Sequence, residues 1–258
     1  MSEIHYTRSG SGKPLLLIHG LGGSSKSWQP VVSLLERHRE VIAVDLPGFG
    51  TSPGCSQSTL RSLTQALTEF LISNDLQGID VVGHSMGGRI AIELARGNHI
   101  GAMVLIGPAG FFKGWERHLT YTTLLLVRLL AKWFMPLLTS LNRSHTLRKI
   151  AFFQLSPNIS VVSPAVVSQK IRDLSKSRSF EPLLTELCYR SQLLEGGTPL
   201  TQPLTFIWGK KDRICFPRQA PRAARQFPQA KLHLLENCGH FPHWDSPEKI
   251  SRLILEAL

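Results

Sequence analysis

Acidic residues are scarce in this chain: 18 Asp and Glu stand against 29 Lys and Arg in 258 residues, a formal charge of +11. Cysteine is scarce too. The four present (Cys55, Cys188, Cys215, Cys238) form no CxxC pair, which argues against a zinc cluster or a disulfide framework and fits reduced thiols. No metal and no cofactor is expected. The opening MSEIHYTRSGSGK lacks the basic-then-apolar order of an export signal, so a cytoplasmic location is expected. No apolar run reaches membrane-spanning length: HLTYTTLLLVRLLAKWFMPLL is interrupted by Arg128 and Lys132 and disrupted further by Pro136. Zinc-finger and RNP-type signatures and arginine-rich tracts are missing as well, so nucleic acid is not expected as a partner. Repeats and low-complexity segments are absent.

The positive charge is uneven. Between Phe111 and Gln202 there are 12 Lys or Arg against 5 Asp or Glu, whereas the rest of the chain carries 17 against 13. A basic surface of this kind is a solvated face, or attracts an anionic membrane or an anionic substrate.

With 42% apolar and 18% charged residues the composition is that of a globular domain. Short apolar runs recur, each closed by Gly or Pro: PLLLIHG, EVIAVDLPG, IDVVGHS, AMVLIGPAG, PLTFIWGKKD and KLHLLENCGH. Runs this continuous suit strands covered on both faces. Between them lie helical patterns, of which the last, SPEKISRLILEAL, offers Ser246 as N-cap and Pro247 at the first helical position. Alternating strand and helix predicts a doubly wound, mostly parallel α/β sheet, with EIHYTRSG as an antiparallel edge strand. The rhythm fails from 111 to about 202, which predicts an inserted helical subdomain dividing a core of residues 1–110 and 203–258. Its apolar helices pack on the core, or present a face to lipid or to a lipid-like substrate.

Gly83-His84-Ser85-Met86-Gly87 follows one strand pattern and opens a helical one. A sharp strand-to-helix turn forces the serine into a strained conformation in which neighbouring side chains would collide, so the flanking positions are glycine and the hydroxyl stands clear of the sheet. A serine needs a base to take its proton, and the base needs an orienting carboxylate. Asp212 and His240 follow two later strands, in the order this topology requires and at the strand ends where open α/β sheets place their sites. For the developing oxyanion, Met86 N–H is one donor and Leu21 N–H, in the turn His19-Gly20-Leu21-Gly22-Gly23, is the second. His19, Gly20 and His84 are candidates for lining the site, although each histidine lies too close to its own strand to face Ser85 freely. His243 and Asp245 are expected to order the His240 loop, and Cys215 and Cys238 to act as small packing residues.

Taken together, LLLIHGLGG, VDLPGFGTS, VVGHSMGG, WGKKDRI and NCGHFPHWDSPE resemble the α/β-hydrolase fold family nearly end to end. The resemblance implies a Ser85–His240–Asp212 triad and a helical lid between the sixth and seventh strands, at 111–202. Ser85 argues against the dehalogenase and epoxide-hydrolase branches, which use aspartate. The G-H-S-M-G-G form is common among carboxylesterases and lipase-like members, so a small-molecule ester with a hydrophobic acyl or aromatic group is expected. Candidate lid contacts are Phe111, Phe112, Trp115, Leu124, Trp133 and Phe134. A carbon–carbon hydrolase or lyase acting on an anionic substrate is the alternative, with lid arginines binding its carboxylates; Arg89, one helical turn beyond Ser85, is either a binding residue or a solvated or helix-packing side chain. The basic lid is a candidate for peripheral contact with an anionic membrane. No oligomeric state follows.

Overall fold

The computed structural model describes residues 3–55, 57–159, 162–190, 193 and 200–258. In chain order the core opens with β1 (Tyr6–Ser9), β2 (Pro14–Ile18), α1 (Gln29–Leu35), β3 (Glu40–Val44), α2 (Leu60–Ser73), β4 (Ile79–His84), α3 (Met86–Arg96) and β5 (Ile100–Ile106). Helices α4 (Trp115–Trp133), α5 (Met135–Leu141), α6 (His145–Ala151), α7 (Pro164–Lys176) and α8 (Phe180–Thr185) follow, with a π-turn at Glu186–Arg190. The core resumes with β6 (Leu204–Gly209), α9 (Ala220–Gln226), β7 (Lys231–Leu235), α10 (Pro242–Asp245) and α11 (Pro247–Ala257).

The strands form one sheet in the order β1-β3-β2-β4-β5-β6-β7, parallel throughout except for β1, which runs antiparallel to β3 at the edge. Both faces are covered, which is why the apolar runs are continuous. In β2, Leu16 and Ile18 enter one core and Leu15 and Leu17 the other, all fully buried. The second core is closed by Val31 and Leu35 of α1 and Ile250 and Ile254 of α11. Strand β7 departs from the expectation of full coverage: it is the other edge, paired only with β6, and Leu234 is 41% exposed. Pro247 does open α11, but Ser246 makes no side-chain cap; its Oγ instead meets Cys238 Sγ at 3.7 Å.

From β2 the chain moves outward to β3 and then returns to β4 on the opposite side of β2. The direction of winding therefore reverses between β2 and β4, which opens a crevice beyond their carboxyl ends. The glycine turn at 20–23 and the serine at 85 flank that crevice.

The helical insertion falls between the fifth and sixth of the seven described strands, one earlier in count than the resemblance implies, because the sheet holds one strand fewer ahead of it. Its boundary toward 202 runs through 191–192 and 194–199, outside the described residues. Helices α4 and α5 bend by 98° at Phe134, where Pro136 cannot donate the backbone hydrogen bond that would continue α4. Arg128 clasps the insertion internally, donating to the carbonyls of Ser175 and Ser177 at 2.8 Å each.

Candidate active site

Ser85 occupies φ +53°, ψ −114°, a left-handed conformation that a residue with a side chain adopts only when its surroundings over-determine it. They do so here. Its N–H donates to Ile106 O at 2.9 Å, and its carbonyl accepts from Ala109 N and Arg89 N, both at 3.1 Å. A Cβ at Gly83 would stand 2.7 Å from the carbonyl oxygen of Gly87, and one at Gly87 would drive into the carbonyl of Ile18. Glycine on both sides is thus a steric requirement of the turn. The hydroxyl sits at the N-terminus of α3, on the positive end of the helix dipole.

Asp212 lies just beyond β6 and His240 just beyond β7. Asp212 Oδ1 accepts from the backbone N–H groups of Ile214 (2.8 Å) and Cys215 (2.9 Å), which leaves Oδ2 to His240 Nδ1 at 2.8 Å. Both side chains are buried, and His240 and Ser85 line the same small pocket, of about 30 Å³. Leu21 also lines the pocket, and among the described residues neither Leu21 N–H nor Met86 N–H has an acceptor.

The two neighbouring histidines hold backbone. His84 borders the pocket and donates from Nε2 to His240 O at 2.8 Å; burial, with His240 and His243 beside it, pushes its pKa well below the usual range, so it is neutral. His19 does not reach the pocket. Its Nε2 accepts from Leu46 N at 3.0 Å, which puts the proton on Nδ1, bonded to Gly20 O at 2.8 Å. His19 thus fixes the turn that carries Leu21, and burial lowers its pKa as well. Gly20 itself borders the pocket.

Of the aromatic candidates none borders the pocket, whereas Leu124 does. Phe111 packs into the core against Phe206 (6.3 Å), Trp208 (6.3 Å) and Phe227 (6.4 Å), and Phe112 is buried too. Trp115 lies on the outside under the guanidinium of Arg218 at 4.6 Å, and Trp133 and Phe134 are 70% and 51% exposed. Arg89 turns away from the pocket to pair with Glu93.

Asp245 accepts from Gly239 N at 2.7 Å and from Ser156 Oγ, tying the His240 loop to the helical insertion. Burial pushes its pKa up to about 6 from 3.8. The folded protein therefore keeps a proton that the unfolded chain has released, so the stabilisation present below about pH 4 is lost as pH rises through 6. Relative to Asp245→Asn, the wild-type Tm should fall between about pH 4 and 7 in a thermal-shift series; a constant difference would contradict this assignment.

Two side chains stand at the site without a signal in the sequence that put them there: Cys215, expected only to pack, and Lys170. The Cys215 thiol lies within hydrogen-bonding reach of the Ser85 hydroxyl; burial, with Asp212 and Cys188 nearby, raises its pKa well above the ordinary value, so it is a neutral neighbour. Lys170 of α7 is buried, and its Nζ donates to the carbonyls of Leu21 (3.1 Å) and Gly22 (2.8 Å). Burial lowers its pKa to about 8. No carboxylate lies within 4.0 Å of it among the described residues. Lys170 also lines a second, larger cavity of about 300 Å³ inside the insertion, between α4, α5 and α7. Four residues (Val127, Leu155, Lys170 and Leu174) line both spaces, so the apolar chamber adjoins the pocket directly.

Chemistry housed at the switch point of such a sheet, on a hydroxyl held proud of it, is that of an α/β-type hydrolytic enzyme. Sequence comparison agrees: the profile described as the alpha/beta hydrolase family matches residues 15–253, and the chain belongs to that family. A 2-hydroxy-6-oxononadienedioate/2-hydroxy-6-oxononatrienedioate hydrolase of Dechloromonas aromatica is 26% identical over 99% of this chain and 90% of its own length. A pimeloyl-[acyl-carrier protein] methyl ester esterase of Nitrosomonas europaea is 27% identical over 96% of this chain and 97% of its own. A thermophilic esterase from Thermogutta terrifontis has the same fold, with a TM-score of 0.75 at 21% identity over 99% and 92% of the two chains.

Proposed function

We propose that this protein is a serine hydrolase that cleaves carboxylic esters carrying a hydrophobic acyl or aromatic group. Ser85 Oγ attacks the carbonyl carbon as His240 takes the hydroxyl proton, with Asp212 on Nδ1 holding the imidazole in the tautomer that leaves Nε2 free to accept. The oxyanion is received by the N–H groups of Met86 and Leu21. Collapse expels the alcohol, which leaves with the proton from His240, and a water activated by the same imidazole then frees the acid from the acyl-enzyme. The observation that carries this reading is the buried 2.8 Å Asp212–His240 hydrogen bond at the pocket of an elbow serine.

The residues from 111 to 202 act in this reading as a cap. The pocket has room for the reacting carbonyl, and the chamber, about ten times larger, takes the apolar tail. On a series of p-nitrophenyl esters kcat/KM should rise from acetate to medium chains. Ala131→Leu, which narrows the chamber, should lower the optimum by about two carbons and change acetate turnover less than about twofold. A profile that falls with chain length would exclude the chamber as the acyl site.

One observation favours the second reading, a carbon–carbon hydrolase for an anionic substrate: Lys170 is a buried cation that lines the pocket with Ser85 and, with Asp173 as its nearest attractive charge, has no carboxylate within 4.0 Å among the described residues. Buried charge is costly unless paired, and a substrate carboxylate would supply the counter-ion. The relative from Dechloromonas aromatica bears the name of a dienedioate hydrolase. Turnover of a 2-hydroxy-6-oxo-dienedioate faster than that of any ester, and lost in Lys170→Met, would establish this reading over the first.

A further inference from the structure

The outer face of the insertion is apolar to a degree that its packing does not explain. Eleven of the fifteen large hydrophobic side chains left exposed among the described residues lie between Trp115 and Phe153. On α4, Leu126, Leu129, Leu130 and Trp133 recur at helical spacing on one face, followed by Leu137 on α5 and by Leu147 and Ile150 on α6. Monomeric proteins seldom expose so many contiguous apolar groups without using them.

The charge around this face has one sign. From Arg117 to Arg172 the chain contains no Asp or Glu and eight Lys or Arg. Some of these are consumed internally, as Arg128 and Lys170 are. Lys132, Arg143 and Lys149 remain exposed, Lys132 next to Trp133, Arg143 just beyond α5 and Lys149 next to Ile150 on α6. A second copy of this chain is a poor occupant, since a self-complementary contact would bring these cations against their own images. An anionic lipid surface complements both features, because apolar side chains enter the acyl boundary while each nearby Lys or Arg strengthens binding roughly fivefold. Among the described residues no single helix is long and apolar enough to cross a membrane, and α4 and α5 qualify only as a pair bent by 98°.

The chamber reaches the same face. Leu126, Leu130 and Phe153, exposed by 57%, 39% and 54%, are also part of its wall. We propose that the insertion docks on an anionic lipid surface through the α4–α6 face, and that the chamber admits the acyl chain of a lipid ester from that surface toward Ser85. The entry of the acyl chain rests on the ester-hydrolase reading; the docking does not.

Sedimentation of the purified protein with vesicles tests the docking, using pure phosphatidylcholine against about equimolar phosphatidylcholine and phosphatidylglycerol, at low and high salt. Wild type and Ser85→Ala should bind the anionic vesicles alike, and salt should release them. Leu137→Glu/Ile150→Glu should bind at least about tenfold more weakly, yet hydrolyse p-nitrophenyl acetate in vesicle-free buffer at the wild-type rate. Equal binding to neutral vesicles, no binding, or light scattering showing a dimer that the double variant dissolves would each overturn the docking. For acyl entry, a long-chain fluorogenic ester embedded in the vesicles should turn over at least about tenfold faster in anionic than in neutral ones. Equal rates with acetate hydrolysis intact would remove the acyl route alone, whereas loss of all ester turnover would remove the hydrolase reading and leave the docking standing.

Discussion

Replacement of Ser85 by alanine should lower kcat on p-nitrophenyl esters by at least about 10⁴-fold, because its hydroxyl is the group that forms the acyl-enzyme in the proposed reaction. The Cys215 thiol beside it does not substitute, since its burial keeps it protonated. A companion variant separates catalysis from strain. At φ +53° a non-glycine residue costs of order 1–3 kcal/mol, whereas the added flexibility of glycine in the unfolded chain costs about 0.4–1 kcal/mol. The strain is the larger quantity, so Ser85→Gly should be as inactive as Ser85→Ala and melt at a higher temperature. Residual turnover within tenfold of wild type in either variant would show that Ser85 is not the nucleophile. A lower Tm for the glycine variant would show that the elbow is unstrained.

Asp212→Asn should lower kcat by about 10⁴-fold through the tautomer of His240. The reason lies in the two backbone donors, Ile214 and Cys215, that hold Oδ1. An amide oxygen would keep that position, which turns the NH₂ group toward His240 Nδ1. Nδ1 must then accept, the ring proton moves to Nε2, and the base facing Ser85 becomes a donor. Asp212 does not line the pocket, so KM should change by less than about threefold. Kinetics on a soluble short-chain ester check both numbers. A rise in KM with kcat preserved would make Asp212 a binding residue and contradict the role proposed for it.

Which parts were legible in sequence depended on how local their causes were. The elbow was, because the collision that excludes a Cβ at Gly83 involves residues only four and five positions away. The sheet was, because strands covered on both faces leave unbroken apolar runs, and Asp212 and His240 stood out as polar residues directly after two of them. Lys170 carried no such signal. It is one cation among several on α7, and only the docking of that helix over the glycine turn buries it against Leu21 and Gly22. The aromatic candidates failed for a related reason: residue type marks a side chain as apolar without saying which side of a wall it faces. Phe111 and Phe112 turned into the core, and the bend at Phe134 left Trp133 and Phe134 outside. His19 looked like a site residue because it adjoins the glycine turn, yet both of its nitrogens are spent on backbone.

The central claim is that Ser85, His240 and Asp212 act as one proton-transfer line. Mass-spectrometric mapping of the protein after treatment with a fluorophosphonate probe tests it most directly. The expected result is a single adduct on the peptide containing Ser85, formed at least about 10³-fold more slowly in His240→Gln. Equal labelling of the two proteins, or an adduct confined to another residue, would contradict it.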